Sequence, residues 1–281
     1  MKRADDMTYE AGFIRNRRGH ALFYAEHAPA NASPSIPRCL ICAPLLEEHN
    51  AARGVLVNLA RALAASGVRV MRFDYTGHGD SEGHTSTIGL GEWCDDVEDV
   101  AWWWQSRTRK LAAASPMRVI GCRAGALLAA MAARTVGADR LTAWCPVIDG
   151  RTYLRDLLRL TLLVAPPAAK AERTTRDALE GRLARGESVN VFGWEIGPSF
   201  YRSVVTASFA RLVEQAPCPV EIFDTGATGR LPPELTALER HAGVTVHSVA
   251  GSTFWIEGAR TDLQQEALVG ATVEAVAADA A

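Results

Sequence analysis

Apolar positions along the chain fall into two rhythms. Gly12 to Asn16 and His20 to His27 read as two strands around an Arg17-Arg18-Gly19 turn, and a Pro- and Ser-containing loop follows from Ala28 to Pro37. Beyond it, short β-type runs alternate with helical periods: Arg38 to Ala43 then Ala51 to Ser66, Val68 to Asp74 then Glu92 to Lys110, Met117 to Gly121 then Ala124 to Val136, and finally Leu141 to Trp144. Parallel strands need connections long enough for a helix, so this alternation predicts βαβ units and a mostly parallel central sheet flanked by helices.

After Asp149 the rhythm stops. The stretch to about Val205, rich in Leu, Arg and Ala with Pro166-Pro167 in it, predicts helices rather than sheet. We expect it to form a small helical cap over the carboxyl edge of the sheet. The βα rhythm returns with Val220 to Phe223, a helix near Pro233 to His241, Val244 to Val249 and a last helix from about Glu257 to Ala278. The expected organisation is a core in two parts, residues 1–149 and 206–281, with the cap 150–205 inserted between them.

Composition narrows the function classes. With 281 residues, 48% of them hydrophobic, one large core suffices. A net charge of −2 and the lack of any run of five basic residues argue against nucleic acid as a partner. The six cysteines are scattered through apolar segments, which fits a reducing cytoplasm better than a disulfide framework. Cys39 and Cys42 form a C-x-x-C inside a β-type run, where an odd offset sends them to opposite faces, so both are expected to pack. Met1 to Glu10 has no apolar core, and the apolar stretches Gly125 to Ala133 and Leu160 to Ala169 fall short of the roughly 18 to 20 residues of a membrane helix. A cytoplasmic protein with no membrane span is expected, and a homo-oligomer is left open.

Two windows have the look of G-x-S-x-G, the sharp strand-to-helix turn that presents a nucleophile. Gly79-Asp80-Ser81-Glu82-Gly83 matches literally but sits in a loop with loop on both sides. Gly121-Cys122-Arg123-Ala124-Gly125 lies directly between a strand and an apolar helix, so it occupies the elbow position with arginine where the serine belongs. A guanidinium is protonated at any biological pH and has no lone pair with which to attack a carbonyl. Arg123 can instead bind a ligand anion at the helix N-terminus or form an internal ion pair with Glu47 or Glu48, expected in the loop after the strand Arg38 to Ala43. Cys122 and Ser81 are the candidates for a displaced nucleophile. Asp224 stands where the acid of a triad is expected, after Val220 to Phe223. No histidine follows the last strand, and His247 lies within it. The other histidines show no metal-ligand spacing, and no cofactor is implied. Of Trp102, Trp103 and Trp104, consecutive on one helix, at least one is expected to face a partner or the cap.

Several segments together resemble the second type of exosortase-A-system-associated hydrolase, a group with the α/β-hydrolase fold. They are Pro44-Leu45-Leu46-Glu47-Glu48-His49-Asn50-Ala51-Ala52-Arg53, the Asp74 to Ser81 loop, Gly121-x-Arg123-Ala124-Gly125, Leu154 to Leu160, Gly186-Glu187-Ser188-Val189, Gly193-Trp194-Glu195, Pro198 and Phe254-Trp255. The resemblance implies an α/β-hydrolase core with a small helical cap and a bacterial role beside exopolysaccharide and exosortase systems. Three readings follow. The protein has lost Ser/His chemistry and binds an acyl or anionic small molecule around Arg123, Glu47, Glu48 and Asn50; or it is an active ester or thioester hydrolase or acyltransferase using Cys122 or Ser81; or it is a scaffold without a ligand.

Overall fold

A computed structural model describes residues 7–31, 33, 35–108, 115–164, 174–225, 230–256 and 265–277. Its strands are β1 (Met7–Arg15), β2 (Ala21–Pro29), β3 (Arg38–Cys42), β4 (Arg69–Phe73), β5 (Met117–Cys122), β6 (Arg140–Trp144), β7 (Val189–Val191), β8 (Trp194–Ile196), β9 (Val220–Thr225) and β10 (Val244–Val249). The helices are α1 (Glu47–Ala65), α2 (Leu90–Thr108), α3 (Ala124–Ala132), α4 (Gly150–Val164), α5 (Arg176–Ala184), α6 (Pro198–Val204), α7 (Phe209–Glu214), α8 (Pro233–Thr236) and α9 (Glu266–Ala277).

Eight strands form one sheet in the order β1-β2-β4-β3-β5-β6-β9-β10. The pairs β1–β2 and β2–β4 are antiparallel, and every other pair is parallel. This is the α/β-hydrolase fold. The inner strands β3 and β5 are buried almost throughout because helices cover both faces: α1 packs with α9, α2 with α3, and α3 with α7. The strand order reverses between β3 and β5, and a cleft opens beside it at the carboxyl ends of β5, β6 and β9, the edge at which an open α/β sheet takes its ligands.

Between β6 and β9 the chain leaves the sheet and returns at one place. Gly150 N–H donates to Ala207 O at 3.0 Å and Phe209 N–H to Ile148 O at 3.0 Å, closing the base of the excursion. Inside it, α4, α5 and α6 pack on one another. The expectation of helices without sheet needs correction here. β7 and β8 form an antiparallel hairpin around Phe192-Gly193, both with positive φ (53° and 89°), and Asn190 Oδ1 accepts from Gly193 N–H at 3.0 Å. Two positive-φ residues give the turn whose twist suits a two-residue hairpin. The pair Pro166-Pro167 and the start of the expected last helix, residues 257–264, lie outside the described residues.

Candidate functional site

β5 ends at Cys122, and the chain turns into α3 through Arg123, whose φ of 54° and ψ of −124° are sterically costly for a residue with a Cβ. Two glycines make that turn possible. A Cβ on Gly125 would run into the carbonyl oxygens of Cys42 and Ala43, and one on Gly121 into Ala126. The elbow geometry is therefore built into the backbone, with a guanidinium mounted on it.

All three nitrogens of the Arg123 guanidinium are engaged. Its Nε and Nη2 donate to Glu48 Oε1 at 3.2 and 3.1 Å, and its Nη1 donates to Cys145 O at 3.0 Å. Its flat face lies 4.6 Å from the ring centre of Trp255. Burial works against the arginine's charge, but Glu48 more than offsets this and the arginine is held firmly as a cation. Glu48 feels the same two forces in reverse: burial raises its carboxyl, while Arg123 and the Tyr153 hydroxyl, which donates to Glu48 Oε2 at 3.5 Å, oppose the rise.

Glu47, Glu48 and Asn50 lie in the first turn of α1, not in a preceding loop. The helix begins four residues earlier than its apolar period suggests, because Leu46 (φ 56°) bends the chain sharply and its N–H donates to His78 Nε2 at 2.9 Å. That bond needs an unprotonated imidazole nitrogen. Burial, helped by the neighbouring His49, supplies it by pulling His78 down to about 3. The helix phase points Glu48 at Arg123 and turns Glu47 and Asn50 outward, where Asn50 Nδ2 donates to Glu47 Oε2 at 3.4 Å. Of the four residues expected to form a pocket, the structure brings together Arg123 and Glu48.

A cleft of about 410 Å³ opens beside the pair. Its floor is the strand ends, with Arg123, Cys145, Asp224 and Thr225; its walls include Tyr153 and Asp156 from α4, Glu234 and Leu235 from α8, and Trp255. Asp224 thus reaches the cleft, its carboxyl raised by burial against the pull of Arg123. Cys145, φ 44°, holds its thiol against Thr225 Oγ1 at 3.4 Å, and burial pushes it up to about 11.

The displaced-nucleophile candidates are placed elsewhere. Cys122 is fully buried beneath the elbow, with a thiol that burial pushes well above its ordinary range. Ser81 Oγ donates to Asp74 O at 2.6 Å and accepts from Phe23 N–H at 2.9 Å, so it ties the loop after β4 to β2. Neither lines the cleft. No histidine occurs among residues 250–281. His247 stacks on Phe223 at 4.7 Å within the sheet, and in the segment after the last strand, where a triad's base is expected, it is Trp255 that lies against Arg123. Sequence reasoning missed Trp255 as a partner of Arg123, although its position after the last strand pointed to the site. It also missed Tyr153, for which the sequence carries no local signal. Among the described residues there is no group of His, Cys, Asp or Glu placed to hold a metal, and no helix long and apolar enough to cross a membrane.

Residues 48–189, half of the chain, match the family model of serine aminopeptidase, S33. The chain belongs to the S33 family. No curated protein matches it. Among solved structures, Est1E from Butyrivibrio proteoclasticus with ferulic acid bound is 18% identical, with a TM-score of 0.65 over 96% of this chain and 98% of that one. An esterase from Pyrococcus furiosus is 13% identical, with a TM-score of 0.63 over 97% and 89%. The thioesterase domain from the curacin biosynthetic pathway is 16% identical, with a TM-score of 0.55 over 96% and 98%. At these identities the likeness concerns the fold. In this S33 protein the strand-to-helix turn after β5 carries an ion pair and a cation–π contact.

Proposed function

We propose that this S33 protein binds an acyl-bearing ligand in the cleft without hydrolysing it, with residues 150–205 acting as the cap over the bound molecule. The observation that carries this reading is the way Arg123 is held: the side chain at the nucleophile's position has no lone pair, and each of its three nitrogens donates to Glu48 or to Cys145 O. The aromatic and aliphatic walls from Tyr153, Leu235, Val147, Ile148 and Trp255 suit an acyl group. An esterase and a thioesterase domain share the fold, which supports that class. An anionic head group is favoured less, because Asp149, Asp156, Asp224 and Glu234 all line the cleft and Glu48 already neutralises the cation. A place beside bacterial exosortase and exopolysaccharide systems rests on the sequence resemblance.

The test is a graded panel of acyl esters and acyl thioesters, followed for turnover by the protein and by Cys122→Ala and Ser81→Ala, with the tryptophan quenching that is lost in Trp255→Phe as the binding signal. We expect no turnover above background, with quenching that grows with acyl length. Turnover that disappears in one of the variants would overturn the reading and identify the nucleophile.

A further inference from the structure

At the far edge of the sheet from β10, β1 runs for nine residues and, among the described residues, has no strand on its outer side. Its register with β2 is regular from Met7↔Pro29 to Arg15↔Ala21. Asn16 N–H donates to His20 O at 3.0 Å just past the strand's end. Hydrogen-bonded residues alternate along an antiparallel pair, so the even positions of β1 bond to β2 and the odd positions turn their N–H and C=O groups outward. The odd side chains share one face, and two are large, apolar and exposed: Tyr9 at 62% and Phe13 at 59%. Natural edges of this length are normally blunted by proline, a bulge or an inward charge; β1 has neither proline nor bulge, and its inner-face carboxylate, Glu10, is neutralised by Arg107 at 2.8 Å.

We propose that β1 pairs with β1 of a second copy of this chain, antiparallel about a two-fold axis at Ala11, joining two eight-stranded sheets into one. The outward positions Met7, Tyr9, Ala11, Phe13 and Arg15 are symmetric about their centre in the property that matters. In this register Tyr9 lies opposite the partner's Phe13, Phe13 opposite the partner's Tyr9, and Ala11 opposite the partner's Ala11, each a pair that can exchange two backbone hydrogen bonds. Within one protomer Phe13 already packs on Phe23, with ring centres 5.7 Å apart, and Tyr9 on His27, 5.0 Å apart. The junction extends these contacts into two bands, each running Phe23, Phe13, the partner's Tyr9 and the partner's His27. Charge agrees with the register. Arg15 faces methionine, and Glu10, held by Arg107 at 2.8 Å, faces glycine, so no like charges stand directly opposite.

The exposed parts of the two rings contribute roughly 250 Å² per protomer, and with the backbone edge the contact reaches the small end of specific interfaces. The dimer is accordingly weak and reversible. Sedimentation velocity of the full chain, from about 1 μM to about 500 μM, reads it directly. Wild type is expected to shift from monomer to dimer across this range. Ala11→Pro removes an outward N–H without touching a bond to β2, and Phe13→Lys places a charge against the partner's Tyr9; each is expected to weaken dimerisation at least tenfold. Trp102→Lys, on α2 and itself 72% exposed, is expected to change nothing. A wild type that stays monomeric throughout, or a dimer of unchanged affinity in Phe13→Lys, overturns the proposal.

Discussion

Removing the guanidinium of Arg123 while Glu48 stays in place leaves a carboxylate with 12% of its side chain exposed and no cation beside it. Unpairing a buried charge costs about 3 to 5 kcal/mol, and the partial exposure of Glu48 places Arg123→Ala near the lower figure in urea unfolding. Glu48→Gln is milder, because the arginine keeps the Cys145 carbonyl and the Trp255 ring. We expect it to cost about 1 to 2 kcal/mol. The double variant is expected to cost clearly less than the sum, since each single change removes the same contact. Additive costs would mean that the two side chains do not act as a pair. At this scale the sequence was legible in part. Gly-x-Arg-Ala-Gly between a strand and an apolar helix marked the elbow, and no histidine follows the last strand. The choice between Glu47 and Glu48 was not legible, because it depends on helix phase, and the phase is set by a positive φ at Leu46 that no apolar pattern records.

The elbow depends on β5 and α3 meeting at close range, and two substitutions separate that requirement from ordinary helix propensity. Gly125→Ala forces a methyl group into the Cys42 and Ala43 carbonyls, and we expect a loss of about 3 kcal/mol or more. Gly54 lies in the interior of α1 with nothing near its absent side chain, so Gly54→Ala is expected to gain about 0.5 to 1 kcal/mol. Thermal or urea unfolding of the two variants checks both signs, and a neutral Gly125→Ala would remove the packing argument. The strands and helices of the core announced themselves because β-type runs and helical periods alternate cleanly there. The hairpin β7–β8 did not. Its alternation, Val189-Asn190-Val191 and Trp194-Glu195-Ile196 about Phe192-Gly193, is three residues long on each side and sits within a Leu-, Arg- and Ala-rich stretch that reads as helix. The early start of α1 was hidden for a related reason: its first turn is Glu47-Glu48-His49-Asn50, which contributes no apolar period.

For the whole molecule, two buried histidines predict how stability responds to acid. Burial pulls His27 down to about 4 and His78 down to about 3, each with smaller contributions from nearby charges. Both stay neutral in the fold while an unfolded chain would take up their protons near 6.5. Between these values the unfolded state binds more protons, so the histidines' contribution is complete above about 6.5 and declines as pH falls, by up to about 1.4 kcal/mol per pH unit for each group. Glu48, Asp96 and Asp224, whose carboxyls are raised by burial, act in the opposite sense at lower pH, so the decline is expected to be steepest between about 6.5 and about 5. Urea midpoints across that range test this, and His27→Gln is expected to flatten the slope. A midpoint that does not move, or that rises on acidification, would contradict the burial of both imidazoles.

The proposed function places a salt bridge, Arg123 with Glu48, where a hydrolase of this fold would carry its nucleophile. The most direct test of that claim is the intact mass of the protein after exposure to a fluorophosphonate and to an activated acyl thioester, run beside Arg123→Ser. An unchanged mass is predicted for the wild type, because among the described residues no serine lines the cleft and the Cys145 thiol that does is held on Thr225 and pushed up to about 11 by burial. It is predicted for Arg123→Ser as well, because Trp255 stands where the base would have to be. A stoichiometric adduct on the wild type, at Cys122, Cys145, Ser81 or any other residue, would contradict the account and assign the protein a nucleophile.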